Sequence, residues 1–181
     1  MKSEKSIITN LIVTFTDIHH FLVVVKVLKE KQSDFLQEFY EILGEIVVDH
    51  GGELIKYLGD GFLCVFPEDL ESEAVASALE MRKAFSKIVN NWKLPSDTEL
   101  EVGIAGGEIY EGVFGHSSLR QRDIFGDVVN QSAIIGHYRG VAITEWVYER
   151  VKDKYTVCRL PDVNLKFQEK PMKVWEVEEQ K

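Results

Sequence analysis

The sequence predicts an α+β sandwich of the split β-α-β, ferredoxin-like kind, with helices packed on a mostly antiparallel sheet. Three observations carry that expectation. Two short apolar strands flank a Gly-Asp-Gly turn over Glu53–Phe66, which is a hairpin. Two long segments, around Phe35–Val47 and Ala74–Ile88, repeat apolar residues at helical spacing. The order of elements along the chain is strand, helix, hairpin, helix, strands, then a helix-strand tail.

Residues 1–6 are polar and expected to be loose. A first strand runs to Phe15, and its β-branched, apolar stretch ends abruptly in Asp17, as a buried strand does when it delivers a residue to an active edge. For the apolar run Phe21–Leu28, periodicity leaves helix and strand open; its place before Lys29-Glu30-Lys31 favours a helix start. The neighbouring pair His19 and His20 lacks further ligands at fitting spacing and reads as incidental rather than as a metal site. Ser33 or Asp34 caps the next helix, which buries Phe35, Leu36, Phe39, Ile42, Leu43, Ile46 and Val47 on one face. Gly51-Gly52 is its left-handed stop.

In the hairpin, glycine on both sides of Asp60 allows a tight turn that holds the carboxylate where it can face a ligand. Turn chemistry alone also accounts for an Asp there, so Asp60 gains weight only beside Asp17. Two strand-delivered carboxylates that meet in space suit a pair of hard divalent cations, since Mg²⁺ is typically held by one or two carboxylates plus substrate phosphates.

A helix over Glu71–Asn90 follows, with Ala74, Ala78, Met81, Ala84, Phe85 and Ile88 inward, then a polar linker to Thr98. Leu100–Ala105 is a strand, Gly106-Gly107 a turn, and Glu108–Gly115 a second strand. A loop from His116 to Gln121 carries Arg120 and leads to Arg122. Val141–Thr144 is a strand, and Thr144 caps a helix to about Lys152. Tyr155–Leu160, Leu165–Phe167 and Lys173–Val177 are the closing strands.

The 181 residues read as one domain, 1–181, without repeats or linkers. With 45% hydrophobic and 28% charged residues, the composition is that of a soluble globular protein. No apolar run reaches membrane-spanning length and no signal peptide precedes Ile7, so no membrane association is expected. Two distant cysteines, Cys64 and Cys158, make neither a disulfide framework nor a metal cluster, which points to a cytoplasmic location; Cys64 reads as core filler. The net charge of −9 argues against a nucleic-acid surface. A triphosphate on so acidic a chain needs local cations, for which Lys56, Arg120, Arg122 and Lys166 are the candidates.

Phe15-Thr16-Asp17-Ile18 resembles the first metal motif of the class III nucleotidyl cyclases, the adenylyl and guanylyl cyclase catalytic domain. Lys56-Tyr57-Leu58-Gly59-Asp60 resembles that family's Lys-x-x-Gly-Asp hairpin. Arg122-Asp123-Ile124-Phe125-Gly126-Asp127-Val128-Val129-Asn130 resembles its Tyr-(Asp/Thr)-apolar-apolar-Gly-(Asp/Asn)-Thr-Val-Asn motif. The likeness extends from about Val13 to Val177.

The resemblance implies conversion of ATP to 3′,5′-cyclic AMP and pyrophosphate, the ribose 3′ oxygen attacking the α-phosphorus in line. By resemblance, Asp17 and Asp60, helped by the Ile18 carbonyl, hold two Mg²⁺ or Mn²⁺ ions per site. Lys56 and Asp123 match the adenine-reading pair, the ammonium donating to N1 and the carboxylate accepting from the 6-amino group. A guanine reader usually carries Glu where Lys56 stands, so ATP is favoured over GTP. Asn130 matches the ribose-positioning asparagine and Lys166 the triphosphate lysine. The resemblance also implies a head-to-tail homodimer, or a heterodimer with another cyclase domain, with the site shared across the interface.

Taken residue by residue, plainer roles stay open. Lys56 also reads as a solvated strand residue, Asp123 as an ion-pair partner of Arg122 or Arg120, and Asn130 as a helix-surface residue. The chain also departs from the family pattern. His20, Phe21 and Leu22 stand where a Gly-Phe-Thr-like phosphate turn belongs, and Phe167 replaces a glycine. Ile134 stands where the family has an arginine four residues after the asparagine, with Arg139 as a possible substitute from the loop beyond. The expectation is a slow adenylate cyclase; the alternative is a degenerate cyclase-like domain that binds nucleotide or a partner without efficient turnover. A relative of the nucleotide-hand polymerases acting on dinucleotides would need a Gly-Gly-Asp/Glu-Glu/Asp-Phe type turn that the chain lacks.

Overall fold

The computed structural model describes residues 7–165 and 170–181. β1 (Ile7–Ile18) is the inner strand of an eight-stranded sheet ordered β2-β3-β1-β4-β6-β8-β7, with β5 hydrogen-bonded to β4 off that path. β2 (Glu53–Tyr57) and β3 (Phe62–Pro67) are the predicted hairpin; β4 (Leu100–His116) and β5 (Leu119–Phe125) form a second. β6 (Val141–Thr144) pairs parallel with β4, while the pairings of β8 (Val174–Gln180) with β6 and with β7 (Tyr155–Arg159) are antiparallel. The architecture is the expected α+β one, with a mostly antiparallel sheet.

Alternation along β1 divides the core. Ile12 and Ile18, with Phe62, Cys64 and Phe66, face α2 (Gln32–Asp49) and α3 (Glu71–Trp92). Val13, with Leu63, Val65, Ala105 and Ile109, faces the opposite way, toward Ile124 of β5 and Val128 of α4 (Asp127–Ile135). On the first face Phe39 meets Phe85 edge-on, their ring centres 5.7 Å apart, and both rings are buried. Burial of each such ring contributes about 1.5–3 kcal/mol. Cys64 is fully buried, as a core filler should be.

Phe21–Leu28 is helical and forms α1, resolving the ambiguity of its apolar run. Several boundaries differ from the sequence reading. The first strand extends past Phe15 to Ile18, which makes Asp17 its penultimate residue. α2 begins at Gln32, directly after a 3₁₀ turn at Lys29–Lys31, so Ser33 and Asp34 lie inside its first turn rather than capping it. α2 ends before Gly51, which has the left-handed φ of 77°. α3 runs to Trp92. Thr144 does occupy the N-cap position of α5 (Glu145–Val151), in extended conformation, but its buried hydroxyl makes no hydrogen bond among the described residues. The predicted loop at His116–Gln121 is a two-residue turn, which puts Arg120 and Arg122 on β5 itself. Leu165 lies outside any strand, and Lys166 and Phe167 fall outside the described residues.

The largest correction is at Gly106-Gly107, where no turn forms and β4 continues unbroken. A Cβ on Gly106 would lie 2.1 Å from the Trp146 ring of α5. The residue is small so that an indole can lie against the strand, not so that the chain can reverse.

His50 follows α2 and ties it to α3, with Nδ1 3.0 Å from Glu73 and Nε2 3.0 Å from Glu80. Burial acts to lower its pKa, but hydrogen bonds to Glu80 and Glu73 and their charges outweigh it, leaving the imidazole above its ordinary value. A raised folded pKa gives stability that is fully present below the unfolded value, about 6.5, and is lost as pH climbs through the folded one. His50→Gln should therefore cost about 0.5–1 kcal/mol at pH 5.5, a gap that narrows at pH 8.5. Paired thermal melts at the two pH values check this.

Candidate active site

Asp17 and Asp60 come together because the β2–β3 turn is pressed onto the end of β1. Thr16 Oγ1 donates to the Phe62 carbonyl at 3.3 Å and accepts from the Phe62 amide at 3.0 Å, pinning the hairpin inside the core. Gly59 takes a φ of 84°, and its carbonyl accepts a hydrogen bond from the Tyr40 hydroxyl. Gly61 lies so close to β1 that a Cβ there would stand 1.8 Å from the Thr16 carbonyl oxygen and 3.3 Å from the Asp17 Cα. The pair of glycines thus serves close approach as much as turning.

The Asp17 carboxyl is pushed up to about 6, first by burial and then by the charge of Asp60, while His137 pulls it back and Glu101 pushes further. Glu101 is the direct cross-strand partner of Asp17 on β4 and is only 3% exposed. His137, just beyond α4, places Nδ1 3.4 Å from Asp17 Oδ2. One ligand atom from each of Asp17, Glu101 and His137 lies within 4.8 Å of the others. A buried Glu101 oxygen, Oε1, makes no hydrogen bond among the described residues, although His19 Nδ1 stands 2.7 Å away as an ion-pair contact. Two crowded carboxylates beside an imidazole are a donor set that fits a divalent cation.

The His19 and His20 rings stack on each other 3.8 Å apart, and each faces its own carboxylate, Glu101 and Asp97 respectively. They do not share a ligand set. Arg139 reaches His19, with Nη2 3.1 Å from Nε2.

Lys56 and Asp123 meet across β2 and β5. The ammonium lies 2.8 Å from Oδ1 and 2.9 Å from Oδ2, while the Ile124 amide donates to Oδ1 at 2.8 Å. Asp123 therefore does not pair with Arg122 or Arg120, and Lys56 is not a free strand residue. Arg122 instead donates to Glu111 at 2.5 Å and to Glu53, and Arg120 donates to the Val113 carbonyl at 3.3 Å.

Asn130 lies on α4 opposite Val128, Ser132 and Ile135, the residues that bury that helix. Asn130 and Ile134, one helical turn apart, line a cleft of about 520 Å³ with Asp127, Ala133, Val163 and Leu165. Arg139 is not among the residues lining it. Lys166 follows Leu165 in the chain but lies outside the described residues.

Of the residues singled out in the sequence, the structure brings together Asp17 with Asp60, Lys56 with Asp123, and Asn130 with Ile134. Sequence reasoning passed over Glu101 and His137. Antiparallel pairing of β1 with β4 would have located Glu101; nothing local marks His137, which comes to Asp17 only through the packing of α4.

A family model described as the adenylate and guanylate cyclase catalytic domain matches residues 4–179. The chain belongs to that family, the class III nucleotidyl cyclases. It is 30% identical over 140 residues to an adenylate cyclase of Mycobacterium bovis, a match covering 73% of this chain and 31% of that protein. In structure it is similar to the adenylyl cyclase CyaB from P. aeruginosa, with a TM-score of 0.90, 21% identity, and coverage of 98% of this chain and 97% of that one. It is also similar to the guanylyl cyclase Cya2, with a TM-score of 0.86, 22% identity, and coverage of 95% and 93% respectively. Among the described residues, no helix is long and apolar enough to cross a membrane.

Proposed function

We propose that the chain is an adenylate cyclase that forms 3′,5′-cyclic AMP and pyrophosphate from ATP at sites shared between two chains. The observation that carries the choice of base is the Lys56–Asp123 contact, with the ammonium 2.8 Å and 2.9 Å from the two carboxylate oxygens. A donor and an acceptor side by side suit two adjacent atoms of one base: Lys56 donates to adenine N1 and Asp123 accepts from the 6-amino group. Asn130 positions the ribose, and Lys166 meets the triphosphate.

Asp17 and Asp60, with the Ile18 carbonyl, would hold two Mg²⁺ or Mn²⁺ ions, which neutralise the phosphates and lower the pKa of the attacking 3′ hydroxyl. A dimer is favoured by where the residues point. α4 packs Val128, Ser132 and Ile135 inward, while Asn130 and Ile134 face away from the sheet face that carries Asp17. One triphosphate meets both sets most simply if they come from two chains, and a two-fold pair of identical chains then has two equivalent sites. Another cyclase domain as partner is the alternative assembly.

Ile134 favours a second reading, a domain that binds nucleotide without efficient turnover, because no arginine is among the described residues lining the cleft beside Asn130. Incubation with ATP or GTP and Mn²⁺, with the product identified by mass, separates the two. Cyclic AMP, formed slowly, supports the enzyme; nucleotide binding with no cyclic product supports the second reading. Lys56→Glu should weaken ATP relative to GTP by about 1–3 kcal/mol. An unchanged ratio of the two affinities would remove these residues from base recognition.

A further inference from the structure

We propose that Asp17, Glu101 and His137 form a mixed nitrogen–oxygen cation site that takes Zn²⁺ in preference to Mg²⁺. Two of the three are buried or half-buried carboxylates on adjacent strands, paired directly across β1 and β4. The third is an imidazole that is 63% exposed and open to an arriving ion.

The geometry is close to that of a bound metal. Two ligands each about 2.1 Å from one tetrahedral ion are about 3.4 Å apart. His137 Nδ1 and Asp17 Oδ2 are 3.4 Å apart. The Glu101 ligand atom is within 4.8 Å of both. Glu101 Oε1 is buried, and the contact it makes is with His19 Nδ1, 2.7 Å away, which meets it as an ion pair only when the imidazole is protonated. A carboxylate oxygen in that position costs free energy unless something positive meets it. His19 lies outside the three-residue group.

The donor types decide which metal. Mg²⁺ takes oxygen ligands in near-ideal octahedra and keeps several waters. An imidazole with two carboxylates suits Zn²⁺, which binds nitrogen and oxygen in tetrahedral sites and stands high in the first-row affinity order. Binding itself does not depend on the cyclase reading. Its consequence does: because Asp17 belongs to both sets, Zn²⁺ held here withdraws a carboxylate from the catalytic ions and inhibits turnover.

The test is calorimetric titration of the whole chain with Zn²⁺ and, separately, Mg²⁺, with Co²⁺ absorption as the report on ligand type. The expected result is Zn²⁺ affinity at least a hundredfold above that for Mg²⁺. His137→Gln, at an exposed position that leaves the fold intact, should lower Zn²⁺ affinity by more than the roughly tenfold that loss of even an outer-shell partner costs. The same substitution should leave Mg²⁺ affinity within twofold and change the visible bands of bound Co²⁺. His19→Gln and His50→Gln, which alter the other carboxylate-facing histidines, should leave that binding event in place. Equal affinities for the two metals, or Zn²⁺ binding and Co²⁺ bands untouched by His137→Gln, overturn the proposal. Absence of cyclic product alongside the expected titrations would count against the cyclase reading alone.

Discussion

Asp60→Ala and Asp17→Asn should each reduce metal-dependent turnover by at least about a hundredfold, because each removes a carboxylate from the pair proposed to hold the ions. Misfolding would give the same loss, but the two explanations separate at Asp17. Its folded carboxyl sits near 6, raised by burial and by the facing charge of Asp60, whereas an unfolded Asp titrates near 3.8. A raised carboxylate pKa is a cost to the fold: absent below the unfolded value, it grows between the two and is complete above the folded one. Asp17→Asn lifts that cost, so the metal-free variant should be more stable than the parent at pH 7, by about 1–2 kcal/mol once solvent screening is allowed for. At pH 3.5 the difference should vanish. Metal affinity of the parent should follow the same carboxyl, flat above pH 6 and falling about tenfold per unit below it. Thermal melts and metal titrations across pH measure both, and a destabilised Asp17→Asn at pH 7 would contradict this account.

Ile134→Arg should raise turnover by about a hundred- to a thousandfold, the reverse of the roughly 2.7–4 kcal/mol lost when one transition-state donor is removed. Charge gathers on the oxygens around the α-phosphorus as the ribose oxygen attacks, and a guanidinium fork is well shaped to meet it. The site has room: Ile134 is 40% exposed and lines the same cleft as Asn130, so the longer side chain need not displace the core. Nucleotide affinity should change far less than kcat, since the new contact forms chiefly in the transition state. Steady-state kinetics of the variant and parent decide it. A parent already as fast as an arginine-bearing cyclase would mean that another cation serves the position.

Motif order and helical stripes were enough to read the layers, since burial of one face leaves a periodic trace in the chain. What escaped was set by distant partners. Gly106-Gly107 looks like a turn because glycine serves turns and close packing alike, and the residue that decides between them, Trp146, comes forty positions later. The start of α2 was obscured because a 3₁₀ turn feeds directly into it at Gln32, with no side-chain cap to mark the join. At the candidate site, Asp17, Asp60, Lys56 and Asp123 stood out because each belongs to a spaced motif. Glu101 and His137 belong to none. Strand register supplies one and helix docking the other.

The Lys56–Asp123 contact also bears on how nucleotide preference can drift. Each residue is the other's counter-ion in the nucleotide-free chain, so changing one strands the other: Lys56→Glu alone sets two carboxylates face to face, and Asp123→Lys alone two ammonium groups. Such an intermediate should bind both purines less tightly than the parent. Charge reversal at both positions together restores a neutral pair, now with the acceptor and donor exchanged. On the role proposed for this pair, a full switch of selectivity would take both positions together, a lock with two keys.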